Sequence, residues 1–160
     1  MESFKELMSM SGSFWAYLGA ALAFFLAGIG SARGVMFVGT AAAGVISEDP
    51  KKFVPSLIME ALPSTQGIYG FVIAFMIIGK ASGSALSIGD GMILFMAALP
   101  VGIVGLLSAI CQGKVAAASM GIVAKREKDW FKGVMLCLTV ELFALFGFLV
   151  SIIMLLKVQG

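Results

Sequence analysis

Long apolar runs separated by short charged clips organise this chain. Four runs stand out, at about residues 13–46, 53–79, 91–124 and 130–156. Each exceeds the ~20 residues a helix needs to cross the hydrocarbon layer of a bilayer. In lipid every backbone amide must be paired within its own segment, so the runs predict helices. A polar clip, Ser47-Glu48-Asp49-Pro50-Lys51-Lys52, follows the first run, and a second, Lys125-Arg126-Glu127-Lys128-Asp129, follows the third. A Gly/Ser-rich turn, Lys80 to Asp90, divides the halves. The predicted fold class is an all-α membrane protein with four transmembrane helices. The first and third runs are long enough to project beyond the bilayer towards the clips.

The halves resemble each other. Ile68-Tyr69-Gly70-Phe71-Val72 in the second run answers Leu145-Phe146-Gly147-Phe148-Leu149 in the fourth. Each half is a long small-residue helix, a charged clip, and a helix with a polar centre. This predicts two tandemly duplicated hairpins, residues 1–80 and 81–160, both pointing the same way.

Composition agrees: 60% of residues are hydrophobic and 12% charged, which excludes an ordinary soluble domain. A net charge of +2 gives no reason to expect nucleic acid. His is absent, which removes the commonest general base, metal ligand and pH switch. Cys111 and Cys137 lie in apolar runs and read as free thiols rather than a disulfide. Met1 to Ser13 lacks the pattern of a signal peptide and is expected to be retained. The clips hold Lys51, Lys52, Lys125, Arg126 and Lys128, with Lys132 close by, against Lys5, Lys80 and Lys157 on the other side. The bias places clips 47–52 and 125–129 in the cytoplasm and both termini opposite.

Small residues form a stripe in each long run. Ala16, Ala20, Ala23, Ala27, Gly30 and Gly34 share a helical face, as do Ala98, Gly102, Gly105, Ala109, Gln112, Ala116 and Ser119. Such stripes let backbones approach closely. They serve either packing inside one bundle or an inner wall where many protomers meet around an axis. Most Phe residues lie in or near the second and fourth runs, which suits a lipid-facing layer.

Glu141 carries the chemistry. It stands in the run Phe131 to Leu156, whose other charge is Lys132 near its start. A carboxylate at membrane depth costs roughly 2.5–3.5 kcal/mol on insertion scales, so it is neutralised or partnered. The second run supplies partners: Leu62, Thr65, Gln66 and Tyr69 are spaced i, i+3, i+4 and i+7, one helical face. Pro63 disrupts the turn before it and loosens carbonyls there. Gln112 adds an amide at similar depth. Thr65 and Glu141 lie at similar depth on parallel helices. An oxygen-only shell suits a hard cation. One carboxylate balances one monovalent charge, so Na⁺ ranks first, H⁺ second, and Ca²⁺ or Mg²⁺ third. The competing reading is that these side chains only glue helices by hydrogen bonds.

The chain resembles the proteolipid (c or K) subunit of bacterial V-type rotary ATPases over nearly its whole length. The markers are Gly28-Ile29-Gly30-Ser31-Ala32-Arg33-Gly34, Leu62-Pro63-Ser64-Thr65-Gln66-Gly67-Ile68-Tyr69-Gly70-Phe71, Gln112-Gly113-Lys114-Val115-Ala116-Ala117-Ala118, and Glu141. The resemblance implies a ring of duplicated hairpins, in the cell membrane of a bacterium, turning against a stator subunit that supplies an arginine and coupled to a central stalk. It implies a non-catalytic, ion-translocating subunit. In sodium-transporting members Na⁺ is held by residues matching Glu141, Gln112, Gln66, Thr65 and the Leu62 carbonyl, while a phenol matching Tyr69 hydrogen-bonds the carboxylate. No organic cofactor is implied, and H⁺ is the alternative cargo.

Three positions depart from the family pattern. Ser64 stands in place of Gly, Leu142 follows Glu141 where some sodium members carry a hydroxyl, and Glu60 is an extra carboxylate off the Leu62 face. Glu60 is expected to be solvated or paired near the cytoplasmic interface, with an access-path role as the alternative. Arg33 and Lys114 either snorkel to headgroups or hold anionic lipids inside a ring. The chain has no phosphate-binding Gly-rich loop ending in Lys-Ser/Thr. Rival classes are a small four-helix cation-coupled exporter, which a duplication with a single carboxylate fits poorly, and a four-span scaffolding protein, which leaves the polar set unexplained.

Overall fold

The computed structural model describes residues 2–83, 86–126 and 128–158. Ser84 and Ala85 of the expected turn and Glu127 of the second clip lie outside the described residues. Helix α1 spans Glu2–Glu48, α2 Phe53–Ala61, α3 Thr65–Gly83, α4 Ile88–Lys125 and α5 Trp130–Leu155. One 3₁₀ turn, Pro50–Lys52, leads into α2, and another, Leu62–Ser64, joins α2 to α3. Four stretches are long and apolar enough to cross a membrane: Ser3–Glu48, Pro50–Ser82, Ile88–Lys125 and Trp130–Leu155.

Two boundaries differ from expectation. Helix α1 begins at Glu2, well before the apolar run. The expected Lys80–Asp90 turn is largely helical, because α3 continues to Gly83 and Ser87 already caps α4, its hydroxyl accepting from Asp90 N. At 1.5 Å per residue α1 is about 70 Å long and α4 about 57 Å. Both outrun a ~30 Å hydrocarbon layer.

Close approaches fix the packing. Along α1, Gly19, Gly30 and Gly34 lie against Phe95, Leu106 and Ala109 of α4, so these two helices run parallel. Gly34 also meets Pro63, and Gly70 of α3 meets Ala23, so α1 and α3 run antiparallel. In the second half Gly133 meets Ser119 and Gly147 meets Pro100, making α4 and α5 antiparallel. The result is two hairpins side by side in the same orientation.

The small-residue stripes are resolved in favour of packing within the chain. Ala16, Ala23, Ala27, Ala98, Ala109 and Ala116 are fully covered inside the single protein, leaving them no surface to offer another copy. The outward faces carry Phe24, Phe25, Phe71, Phe75, Phe143 and Phe146. Pro100 stands inside α4, where its ring and missing N–H disturb the helical ladder. Ser151 of α5 meets that disturbance: its Oγ accepts from Val101 N at 3.1 Å. In the first clip Asp49 caps the 3₁₀ turn by accepting from Lys51 N at 3.0 Å, while Lys52 folds inward and is buried.

Candidate ion-binding site

The 3₁₀ turn at Leu62–Ser64 sets up the site. Pro63 offers no N–H, and the turn closes instead through Thr65 N donating to the Leu62 carbonyl. This re-aims the start of α3 so that Thr65, Gln66 and Tyr69 face α5. Gln66 is fully buried and Glu141 is 7% exposed.

Three donors converge on the carboxylate. Tyr69 Oη donates to Glu141 Oε1 at 2.7 Å, and Gln66 Nε2 donates to Oε2 at 3.0 Å. Thr65 Oγ1 lies 2.8 Å from Oε1 and 2.9 Å from Oε2. Gln66 Nε2 also donates to Gln112 Oε1 at 2.6 Å, and Gln112 Nε2 donates to the Cys137 carbonyl at 3.2 Å. Tyr69 is held by its ring, which stacks on Phe148 with centroids 5.1 Å apart.

Four acceptor oxygens crowd the single hydrogen of the Thr65 hydroxyl. Besides the two carboxylate oxygens, Thr65 Oγ1 lies 3.0 Å from the Leu62 carbonyl oxygen and 3.3 Å from Gln66 Oε1. A hydroxyl has one hydrogen to donate, so it serves one of these four oxygens at a time. A small hard cation relieves such a cluster, because it binds several oxygens at once. The donor set therefore fits an alkali cation. Among the described residues no group of three His, Cys, Asp or Glu side chains is placed to hold a metal ion, so the arrangement does not resemble a transition-metal cage.

All six residues singled out from sequence, Glu141, Gln112, Gln66, Thr65, Leu62 and Tyr69, meet in one hydrogen-bonded cluster. Gln112 reaches Glu141 only through Gln66. Ser64 does not join the cluster, since its hydroxyl donates to the Ala61 carbonyl at 2.6 Å. Leu142 is half exposed on the outer face. Glu60 also stands apart: its carboxylate lies over Gly39 of α1. Arg33 and Lys114 are exposed on α1 and α4. Sequence reasoning missed the Cys137 carbonyl, which orients Gln112, and Ser31, whose Oγ accepts from Gly67 N at 2.8 Å just past the proline turn. A Ser facing a proline-disturbed turn on the neighbouring helix is the signal that would have found Ser31.

A bundle of duplicated membrane hairpins with, among the described residues, one buried carboxylate between them defines a class of ion-carrying proteolipids. The chain belongs to the ATP synthase C-subunit family, whose model matches it twice, at residues 18–77 and 95–154. It is 44% identical over 146 residues to the V-type sodium ATPase subunit K of Enterococcus hirae, covering 91% of this chain and 93% of that one. It is 38% identical over 141 residues to the A-type ATP synthase subunit K of Methanocaldococcus jannaschii, covering 88% of this chain and 61% of the relative. A more distant relative, the 16 kDa proteolipid of the V-type proton ATPase of Nephrops norvegicus, is 25% identical over 157 residues, 98% of this chain and 99% of that one. Four apolar helices and this kinship make the chain a multi-pass membrane protein.

Proposed function

We propose that this protein is the rotor-ring subunit of a V-type rotary ATPase and carries Na⁺ across the membrane on Glu141. The observation that carries this reading is the oxygen cluster at the seam of the two hairpins: Glu141 Oε1 and Oε2, Gln66 Oε1 and the Leu62 carbonyl gather around the Thr65 hydroxyl. Gln112 holds the Gln66 amide, and its Oε1 retains a second lone pair for the ion. Tyr69 fixes the carboxylate rotamer. With Na⁺ bound, the carboxylate charge is balanced, and the site can pass through lipid without the cost of a bare ion. At the stator, an arginine from the partner protein competes for the carboxylate and releases the cargo. ATP chemistry belongs to other subunits reached through a central stalk.

In this reading the units are hairpins 1–80 and 81–160, the membrane is the bacterial cell membrane, the clips face the cytoplasm, and exposed Arg33 and Lys114 meet lipid headgroups. The second reading keeps the same ring with H⁺ as cargo. Thr65 Oγ1 is what favours it, since it can accept the proton of a protonated Glu141, 2.8 and 2.9 Å away, while donating its own hydrogen to the Leu62 carbonyl at 3.0 Å.

The test is labelling of Glu141 by a carbodiimide, which needs a protonated carboxyl, with and without Na⁺ over a pH series. Na⁺ is expected to protect, and protection to weaken as pH falls and protons compete. Labelling that follows pH and ignores Na⁺ makes this a proton carrier. A Glu141 that never reacts removes the rotor reading.

A further inference from the structure

Helix α1 supplies none of the six clustered residues, yet it grips the turn that carries three of them. Ser31 and Gly34 lie three residues apart on one face of α1. Gly34 sits beneath Pro63, so close that a Cβ on it would stand 2.7 Å from the proline Cβ. Ser31 sits beneath Gly67, where a Cβ would stand 3.2 Å from Ser31 Oγ and 3.3 Å from Ser31 Cβ. Thr65 and Gln66 lie between these two contacts, and Leu62 stands just before Pro63.

The Ser31 contact is a hydrogen bond as well as a close approach. The first four N–H groups of a helix have no partner inside it. At the start of α3, Thr65 N turns back to the Leu62 carbonyl. Gly67 N donates across to Ser31 Oγ at 2.8 Å, and Ser31 is buried. Ser31 thus does for α3 what an N-cap side chain does, but from a neighbouring helix.

The place of this bond matters because the turn before it is soft. A 3₁₀ turn closes with poorer hydrogen-bond geometry than an α-helix, and Pro63 brings no N–H to it. That turn nevertheless has to hold the Leu62 carbonyl oxygen 3.0 Å and Gln66 Oε1 3.3 Å from Thr65 Oγ1. The backbone of residues 62–66 sets the spacing of these oxygens, and the Ser31 bond ties down its far end.

We infer that Ser31 is a positioning residue for the ion site. By holding the Gly67 N–H it fixes the spacing of the Leu62, Thr65 and Gln66 oxygens, and with it the affinity for Na⁺, while contributing no oxygen to the ion itself. This role rests on the reading of Glu141 as a Na⁺ carrier.

The second half of the chain supplies a matched control. Ser151 Oγ accepts from Val101 N at 3.1 Å beside Pro100, again a buried hydroxyl serving a backbone N–H next to a proline on a neighbouring helix. Ser151 stands ten residues beyond Glu141 on α5, about 15 Å along the axis at 1.5 Å per residue.

The test compares the native protein, Ser31→Ala and Ser151→Ala in membranes holding the whole complex. The readouts are the Na⁺ concentration that half-protects Glu141 from carbodiimide and the thermal stability of the solubilised protein. For Ser31→Ala the half-protecting concentration is expected to rise about three- to tenfold, the worth of one lost cap. Ser151→Ala is expected to lose a similar amount of thermal stability and to keep the native Na⁺ protection. Ser31→Ala is measured again in a Thr65→Val background. A residue that works by placing Thr65 has less to lose there, so the effect of Ser31→Ala is expected to shrink. A Ser31→Ala shift no larger than that of Ser151→Ala, or one undiminished in Thr65→Val, makes Ser31 a packing residue and overturns the inference while the Na⁺ reading stands. A native protein that Na⁺ does not protect overturns both.

Discussion

Thr65 and Glu141, 76 residues apart in sequence, meet with the threonine hydroxyl 2.8 and 2.9 Å from the two carboxylate oxygens. The contact joins α3 of the first hairpin to α5 of the second, so the site exists only because both hairpins are present. Three donors approach Glu141, and its charge is the feature they share. Glu141→Gln keeps shape and polarity but removes that charge and places an amide N–H₂ among oxygens. Ring assembly is expected to survive, while ²²Na⁺ uptake into proteoliposomes holding the whole ATP-driven complex is expected to vanish. Transport at the wild-type rate would refute the site.

Thr65→Val removes the hydroxyl on which four oxygens centre and keeps the β-branched shape. A hydrogen bond to a charged group is worth about 1.5–3 kcal/mol, and every 1.4 kcal/mol is tenfold in affinity. The Na⁺ concentration that half-protects Glu141 from carbodiimide is therefore expected to rise by about 10- to 100-fold. A shift under twofold would mean that Thr65 supports packing alone.

Tyr69→Phe isolates a single donor. The ring that stacks on Phe148 remains, and only the hydroxyl 2.7 Å from Oε1 is lost. The carboxylate then swings more freely, so carbodiimide labelling without Na⁺ is expected to quicken several-fold with the ring's thermal stability unchanged. A variant that labels at the native rate would show that Gln66 and Thr65 hold Glu141 by themselves.

The site was legible in the sequence for a physical reason. Lipid penalises every polar atom, so polar residues inside the spans had to find one another, and the i, i+3, i+4, i+7 spacing of Leu62, Thr65, Gln66 and Tyr69 put them on one face. Pro63 marked the break because a missing N–H acts locally. What stayed hidden was decided by contacts with other elements. Hydropathy marks the end of an apolar run, not the end of a helix, so α1 reaching back to Glu2 and the helical residues between Lys80 and Asp90 escaped notice. The small-residue stripe reads the same whether it packs within a chain or between chains. Only the burial of Ala16, Ala23 and Ala27 separated the two. The pairing of Ser151 with Pro100's turn and the burial of Lys52 likewise depend on which helices become neighbours.

The parallel contact of α1 with α4 gives the last prediction, because two glycines of α4 differ sharply in what surrounds them. A Cβ on Gly113 would stand 2.5 Å from the Gly34 carbonyl oxygen, and the obstruction is backbone, which cannot rotate away. A Cβ on Gly121 would meet nothing within 4 Å. Overpacking a well-filled contact costs typically about 1–3 kcal/mol, and helix propensity favours Ala over Gly by about 1 kcal/mol. At Gly121 only the second effect acts, and at Gly113 the first opposes it and prevails. Separating α1 from α4 at Gly113 also moves Gln112, whose amide orients Gln66. Gly113→Ala is thus expected to lower both the thermal stability of the detergent-solubilised protein and its Na⁺ protection, while Gly121→Ala leaves Na⁺ protection unaltered and stability equal or slightly higher. Equal behaviour of the two variants would mean that α1 and α4 do not meet through Gly34 and Gly113.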